Sequence, residues 1–138
     1  MTKLGRKMTI ATTAVLILGL TGCGNVEERS LCRQYEDLRE AAAQIDNLDP
    51  ETATVADAAA IVEDVMVQLD QFQAASEGIY DQAVSNLNLA LTELRQATFD
   101  IGDESLEVAR PLLEESWQNT LTAYSILEQR LDVVCGTD

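Results

Sequence analysis

Histidine is absent from the chain, and lysine occurs only at positions 3 and 7. Beyond residue 7 no Ser-His-Asp triad, Ser-Lys dyad or Schiff-base lysine can therefore be assembled, and the Glu-x-x-His pairs of di-iron bundles are excluded as well. Glycine and proline are scarce after Cys23: glycine stands at 24, 78, 102 and 136, and proline at 50 and 111. Because these residues punctuate regular structure, their rarity leaves long uninterrupted stretches for helix. Alternating apolar runs and hairpin turn pairs are missing too, so strands are not expected. Aromatic residues make up only 4% of the chain, too few to line a sugar cleft, and no carboxylate falls on an apolar stripe; paired acid-base catalysis is not expected either.

Negative charge is missing from one region only. All 24 Asp and Glu residues follow Cys23, where they face six arginines at 29, 33, 39, 95, 110 and 130. So acidic a surface repels nucleic acid and anionic lipid headgroups alike. Before Cys23 the pattern inverts. Lys3, Arg6 and Lys7 precede MTIATTAVLILGL, residues 8–20, a run of 13 without a charge. A basic start followed by a short apolar run is the layout of a secretory signal peptide, and it is shorter than the roughly 18 residues a membrane span requires.

The apolar run ends in Leu20-Thr21-Gly22-Cys23. An aliphatic residue, two small residues and a cysteine resemble the lipobox of bacterial lipoproteins. The resemblance covers the first 23 residues and leaves the rest of the chain unassigned. It implies that residues 1–22 are a signal peptide that is removed and that the mature domain is 23–138. It further implies that the Cys23 thiol carries a diacylglycerol and that its amine is acylated, anchoring the domain at the outer face of the membrane in the cell envelope. Two or three acyl chains, at about 0.8 kcal/mol per buried methylene, hold a protein stably where one does not.

Of three cysteines, one is then assigned to lipid, which leaves Cys32 and Cys135 as a disulfide in an oxidising compartment or as two buried thiols. With no histidine and two remaining thiols, a zinc site is not expected, and no cofactor is expected.

Apolar residues recur at helical spacing in four segments. From about 27 to 48 the stripe is Leu31, Tyr35, Leu38, Ala42 and Ile45; the second, to about 76, is Val55, Ala58, Val62, Val65, Leu69 and Phe72. The third carries Tyr80, Val84, Leu87, Leu91, Leu94, Thr98 and Ile101, and the fourth Leu106, Leu113, Trp117, Thr120, Tyr124, Leu127, Leu131 and Val134. Asp49 or Thr54 can cap the second helix and Asp103 the fourth, while Pro111 either kinks the fourth helix or marks a start near Arg110. Gly78, Gly102 and Gly136 are expected to terminate helices. Each segment is about 30–45 Å long as helix, suited to side-by-side packing. The expected fold is all-α: an antiparallel up-down-up-down four-helix bundle closed by the Cys32–Cys135 disulfide. With three helices the two cysteines would lie about 30 Å apart, whereas a disulfide needs Cα atoms within about 7 Å; four antiparallel helices bring them to one end.

Leu112, Ile126 and Val133 fall off the main stripe of the fourth helix, as do Val67 and Leu89 in theirs. They are scattered surface residues or a docking patch for an envelope protein partner. Asp100, Asp103, Glu104 and Glu107 form an acidic cluster that lacks EF-hand spacing; they are weak calcium candidates and equally suit a helix N-terminus. The sequence thus points to a lipid-anchored envelope protein serving as a binding or structural accessory module without catalysis. The alternatives are a carrier of a hydrophobic ligand in the bundle core and a cation-binding acidic protein.

Overall fold

A computed structural model describes the backbone of residues 22–136 and the side chains of residues 28–136. Residues 1–21, which hold Leu20-Thr21 of the lipobox-like motif and all but the last residue of the expected signal peptide, lie outside the described residues, and so does the Cys23 side chain. Four helices follow in order: α1 (Gly22–Asp46), α2 (Val55–Ser76), α3 (Asp81–Ile101) and α4 (Leu106–Cys135). They pack in sequence as an antiparallel bundle, α1 on α2, α2 on α3 and α3 on α4, with α1 and α4 meeting along the last seam. No described helix is long and apolar enough to cross a membrane.

Local chemistry fixes the ends. Thr54 caps α2 through a reciprocal box: its hydroxyl accepts from the Asp57 N–H at 3.2 Å, and Asp57 accepts from the Thr54 N–H at 2.9 Å. Asp49 instead organises the preceding turn, accepting from the Glu51 N–H through its side chain and from the Ala53 N–H through its carbonyl. At the other end of α2, Glu77 and Gly78 both take positive φ, which turns the chain into α3. Helix α4 is capped by Ser105 rather than Asp103, with its hydroxyl accepting from the Val108 N–H. Pro111 lies within α4, so the helix starts five residues before it and not near Arg110. Helix α1 begins at Gly22, some five residues earlier than the expected start near 27; no proline interrupts Cys23–Glu28, and the ladder continues through that stretch.

The stripes meet in one core, in which Tyr35, Leu38, Val62, Leu69, Phe72, Leu87, Leu91, Leu127 and Leu131 are fully buried. On α1 it is Ala41 that is buried, while the striped Ala42 is only half-buried at the edge of the core. Trp117 and Tyr124 on α4 are likewise half-buried. Small residues repeat every seven positions along the α3–α4 pair: Ala83, Ala90 and Ala97 on α3, and Ala109, Ser116 and Ala123 on α4. Antiparallel register about Gly102 sets these two rows level, and small side chains at a contact permit a short interaxial distance. Between α2 and α3, Arg95 pairs with Glu63 on the surface; such an exposed pair contributes at most about 1 kcal/mol.

Two fasteners hold opposite poles. At one pole Cys32 and Cys135 form the disulfide, with Cα atoms 5.5 Å apart, joining the start of the α1 stripe to the last residue of α4. At the other, the two loops pair like a fragment of sheet: the Val55 N–H donates to the Glu104 carbonyl at 2.9 Å, and the Leu106 N–H donates to the Ala53 carbonyl at 3.0 Å. The second fastener sets the N-termini of α2 and α4 side by side. Asp57 and Glu107 in their first turns offset the two like-signed helix ends.

Because the disulfide closes a loop of over a hundred residues, replacing Cys32 and Cys135 together by serine is expected to lower unfolding free energy by about 4–5 kcal/mol in the chain-entropy model. The urea midpoint of the oxidised protein and of the double variant measures this; equal midpoints would contradict it. Leu127→Ala, which empties a fully buried site, is expected to cost about 2–5 kcal/mol by the same measurement.

Candidate functional site

Three of the four helix seams are filled by interlocking side chains. The fourth, between α1 and α4, is not. It holds a groove of about 640 Å³, walled by α1 from Glu36 to Asp46 and by α4 from Trp117 to Glu128. The cause lies in side-chain volume. Where α1 lines this seam it presents only the small side chains of Ala42 and Ala43, with Thr120 and Leu121 on the α4 wall. Val65 of α2 and Leu87 and Leu91 of α3 lie beneath the groove and are themselves buried. A second hollow of about 460 Å³ continues toward the loop pole over Val62, Leu94 and Leu113, and Ile45, Asp46 and Trp117 line both. The void therefore lies along a seam rather than in the middle of the core. The interior of the bundle is filled by buried side chains, among them Leu38, Leu69, Leu91 and Leu127.

Toward the disulfide the seam closes through polar contacts. The Tyr35 hydroxyl on α1 donates to Asp132 Oδ1 on α4 at 3.4 Å, and the Arg39 guanidinium lies 5.6 Å from the centre of the Tyr35 ring. Burial pushes the Tyr124 hydroxyl up to about 12, helped by the neighbouring Glu128 carboxylate and opposed by Arg39. Burial is also the main reason that Tyr35 is raised still further; the adjoining Tyr124, Asp132 and Glu128 add to it and Arg39 again opposes. Both phenols thus remain neutral donors throughout the physiological range.

The groove combines apolar wall residues (Ala42, Ala43 and Leu121), two aromatic rings and a charged rim. Glu36, Asp37, Glu40, Asp46 and Glu128 line it, with Arg39 as the one cation in the larger hollow. It can take up an apolar body and select by charge. It holds no nucleophile activated by a base.

The other sequence candidates sit elsewhere. Cys32 and Cys135 are brought together. Cys23 lies in the first turn of α1, nine residues and about 13 Å of helix ahead of Cys32. Leu112, Ile126 and Val133 are exposed at 70%, 43% and 86%. They form a row along α4 with Asn119 standing at the missing heptad position, so polar surface interrupts the row. Val67 and Leu89 are exposed on other helices. Asp100, Asp103, Glu104 and Glu107 cluster around the α3–α4 turn, where Asp100 accepts from Gln96 at 3.0 Å and the Glu104 carbonyl is engaged by Val55. Among the described residues no three carboxylate or thiol side chains converge as ligands for a metal ion. The groove residues Glu36, Arg39, Glu40, Ala43 and Glu128 were not singled out from sequence. The available signal was the run Ala41-Ala42-Ala43, which brings little bulk to a position where a tryptophan lies on the facing helix.

Comparison with known protein families, with curated proteins and with solved structures returns no match.

The tyrosines give a pH signature. Their folded values lie above the unfolded value near 10, so the folded state holds these protons more tightly. The stability this contributes is complete below pH about 10 and is lost as pH rises through the folded values. Urea midpoints are expected to decline from pH 10 upward, with a shallower decline in Tyr124→Phe; identical slopes in the two proteins would contradict the assignment.

Proposed function

We propose that this chain is a lipid-anchored protein of the bacterial cell envelope, held at the outer face of the membrane through acylated Cys23, and that its helical domain is a non-catalytic binding module. The binding element is the α1–α4 groove. One observation carries this reading: an unfilled seam of about 640 Å³ over buried Val65, Leu87 and Leu91, flanked by half-buried Trp117 and Tyr124. Pockets for single small molecules fall in the range of about 300–1,000 Å³ and are mostly apolar with a few polar groups. The missing histidine and the confinement of lysine to residues 3 and 7 support the non-catalytic part. The basic, apolar and lipobox-like order of residues 1–23 supports the anchor.

A second reading rests on the exposed row Leu112, Ile126 and Val133. In it another envelope protein docks on the outer face of α4, away from the groove. Crosslinking from a photoreactive residue at position 126 in the native membrane distinguishes it: one discrete adduct is expected if the row docks a partner, and none if it does not.

Two measurements test the main reading. Intact-mass analysis of the membrane-extracted protein is expected to show a chain starting at residue 23, heavier by its acyl groups and lighter by two hydrogens than the reduced form; Cys23→Ser should abolish the added mass. The neutral dye N-phenyl-1-naphthylamine is expected to quench Trp117, the chain's single tryptophan, saturably and at one site. Ala42→Phe, which fills the groove from α1, is expected to remove that quenching. Failure to quench in the unmodified protein would contradict a groove open to ligands.

A further inference from the structure

Given that the α1–α4 groove is a ligand site, we infer that its ligand is an organic cation with an apolar body, the charged head lying among Glu36, Glu40 and Glu128 and the body against Ala42, Ala43 and Leu121. The inference depends on the groove reading and specifies what fills it. Of the residues lining the larger hollow, five are carboxylates and one is an arginine. That arginine, Arg39, lies over the Tyr35 ring while its charge also reaches Tyr124, so it offsets one of the five carboxylates and leaves the rim net negative. Low-dielectric walls of one charge sign focus the field within a cleft, which here attracts cations and repels carboxylate or sulfate amphiphiles such as fatty acids.

The rim does not suit a metal ion. Among the described residues no three carboxylates converge closely enough to hold a metal ion, so those of the rim supply negative potential without a coordination shell. A diffuse, weakly hydrated ammonium needs potential and contact area rather than fixed ligands. The rings of Trp117 and Tyr124 on the α4 wall provide both, because a cation over an aromatic face is attracted by the ring quadrupole, and quaternary ammonium groups are recognised in this way. Shape excludes a protein occupant as well: the site is a slot between two helices of the same chain, sized for one small molecule, whereas protein partners bury about 800 Å² on each side.

The test uses the mature lipidated protein in nanodiscs of uncharged digalactosyldiacylglycerol, so that the bilayer contributes no ammonium groups. Trp117 emission is followed on addition of three probes with one chain length: octyltrimethylammonium, octanol and octanoate. Octyltrimethylammonium is expected to bind saturably and about tenfold more tightly than octanol, from the combined cation–π and rim attraction, with octanoate weakest. Glu40→Gln combined with Glu128→Gln is expected to bring the cation down to the level of octanol. Glu93→Gln, an exposed change on α3 away from the groove, should leave it unaffected. Equal affinity for octanol and octyltrimethylammonium, or tighter binding of octanoate, overturns the charge selection while leaving the groove as a ligand site. If none of the three shifts Trp117 saturably, the groove reading itself falls. Both substitutions are on exposed or rim positions, so loss of the fold does not obscure the outcome; native circular dichroism of each variant is the control.

Discussion

The covalent bond between Cys32 and Cys135 is the constraint around which the architecture is arranged. It joins the first helix to the last, which only an even number of antiparallel helices allows at one pole. It also substitutes for packing. The seam it spans is the one that side chains leave unfilled, and there α1 and α4 are held by the bridge, the Tyr35–Asp132 hydrogen bond and Arg39 stacked over Tyr35. A bundle closed by side-chain packing alone could not keep a gap along this seam without losing contact energy at every layer. A covalent tie at one end and paired loops at the other let the gap persist between two fixed poles.

Charge acts on the same seam. With 24 carboxylates after Cys23 and six arginines, folding brings like charges together at the surface, and burial of leucine, valine and phenylalanine must overcome that repulsion. Most of the acids lie outward on exposed faces, where water screens them. Along α1, however, Glu36, Asp37, Glu40 and Asp46 follow the edge of an apolar slot, and Glu128 faces them from α4. There, on the proposed reading, the acidic composition becomes a means of selecting a ligand. Burial and the adjacent carboxylates hold Tyr124 protonated, so the aromatic wall itself adds no negative charge.

The apolar stripes made the helix number, their order and most of the core legible in the sequence. Leu38, Val62, Phe72, Leu91 and Leu127 all occupy the interior, because a stripe repeating every three and four residues gathers its large apolar side chains on one face of the helix. The cysteines made the topology legible by the same logic of distance. Ends were harder: Ser105 caps α4 where Asp103 has an equally suitable side chain, since the loop pairing at Thr54 and Ser105 decides which residue sits at the boundary. The groove was not legible. Ala42 reads as a core residue by spacing, but Ala41 turns inward and Ala42 faces the open seam. A rotation of one residue about the helix axis is invisible to periodicity and depends on the neighbouring helices.

The central claim, that the bridge rather than packing sets the α1–α4 seam, is tested most directly by spin-label distances across it. Labels at positions 43 on α1 and 121 on α4, in a soluble form without residues 1–23, are compared with and without replacement of Cys32 and Cys135 by serine; labels at 93 on α3 and 118 on α4 serve as reference. The account predicts one narrow distance across the seam when the bridge is present and a broadened, longer distribution without it, while the α3–α4 distance stays the same. An α1–α4 distribution unchanged by loss of the bridge would contradict it.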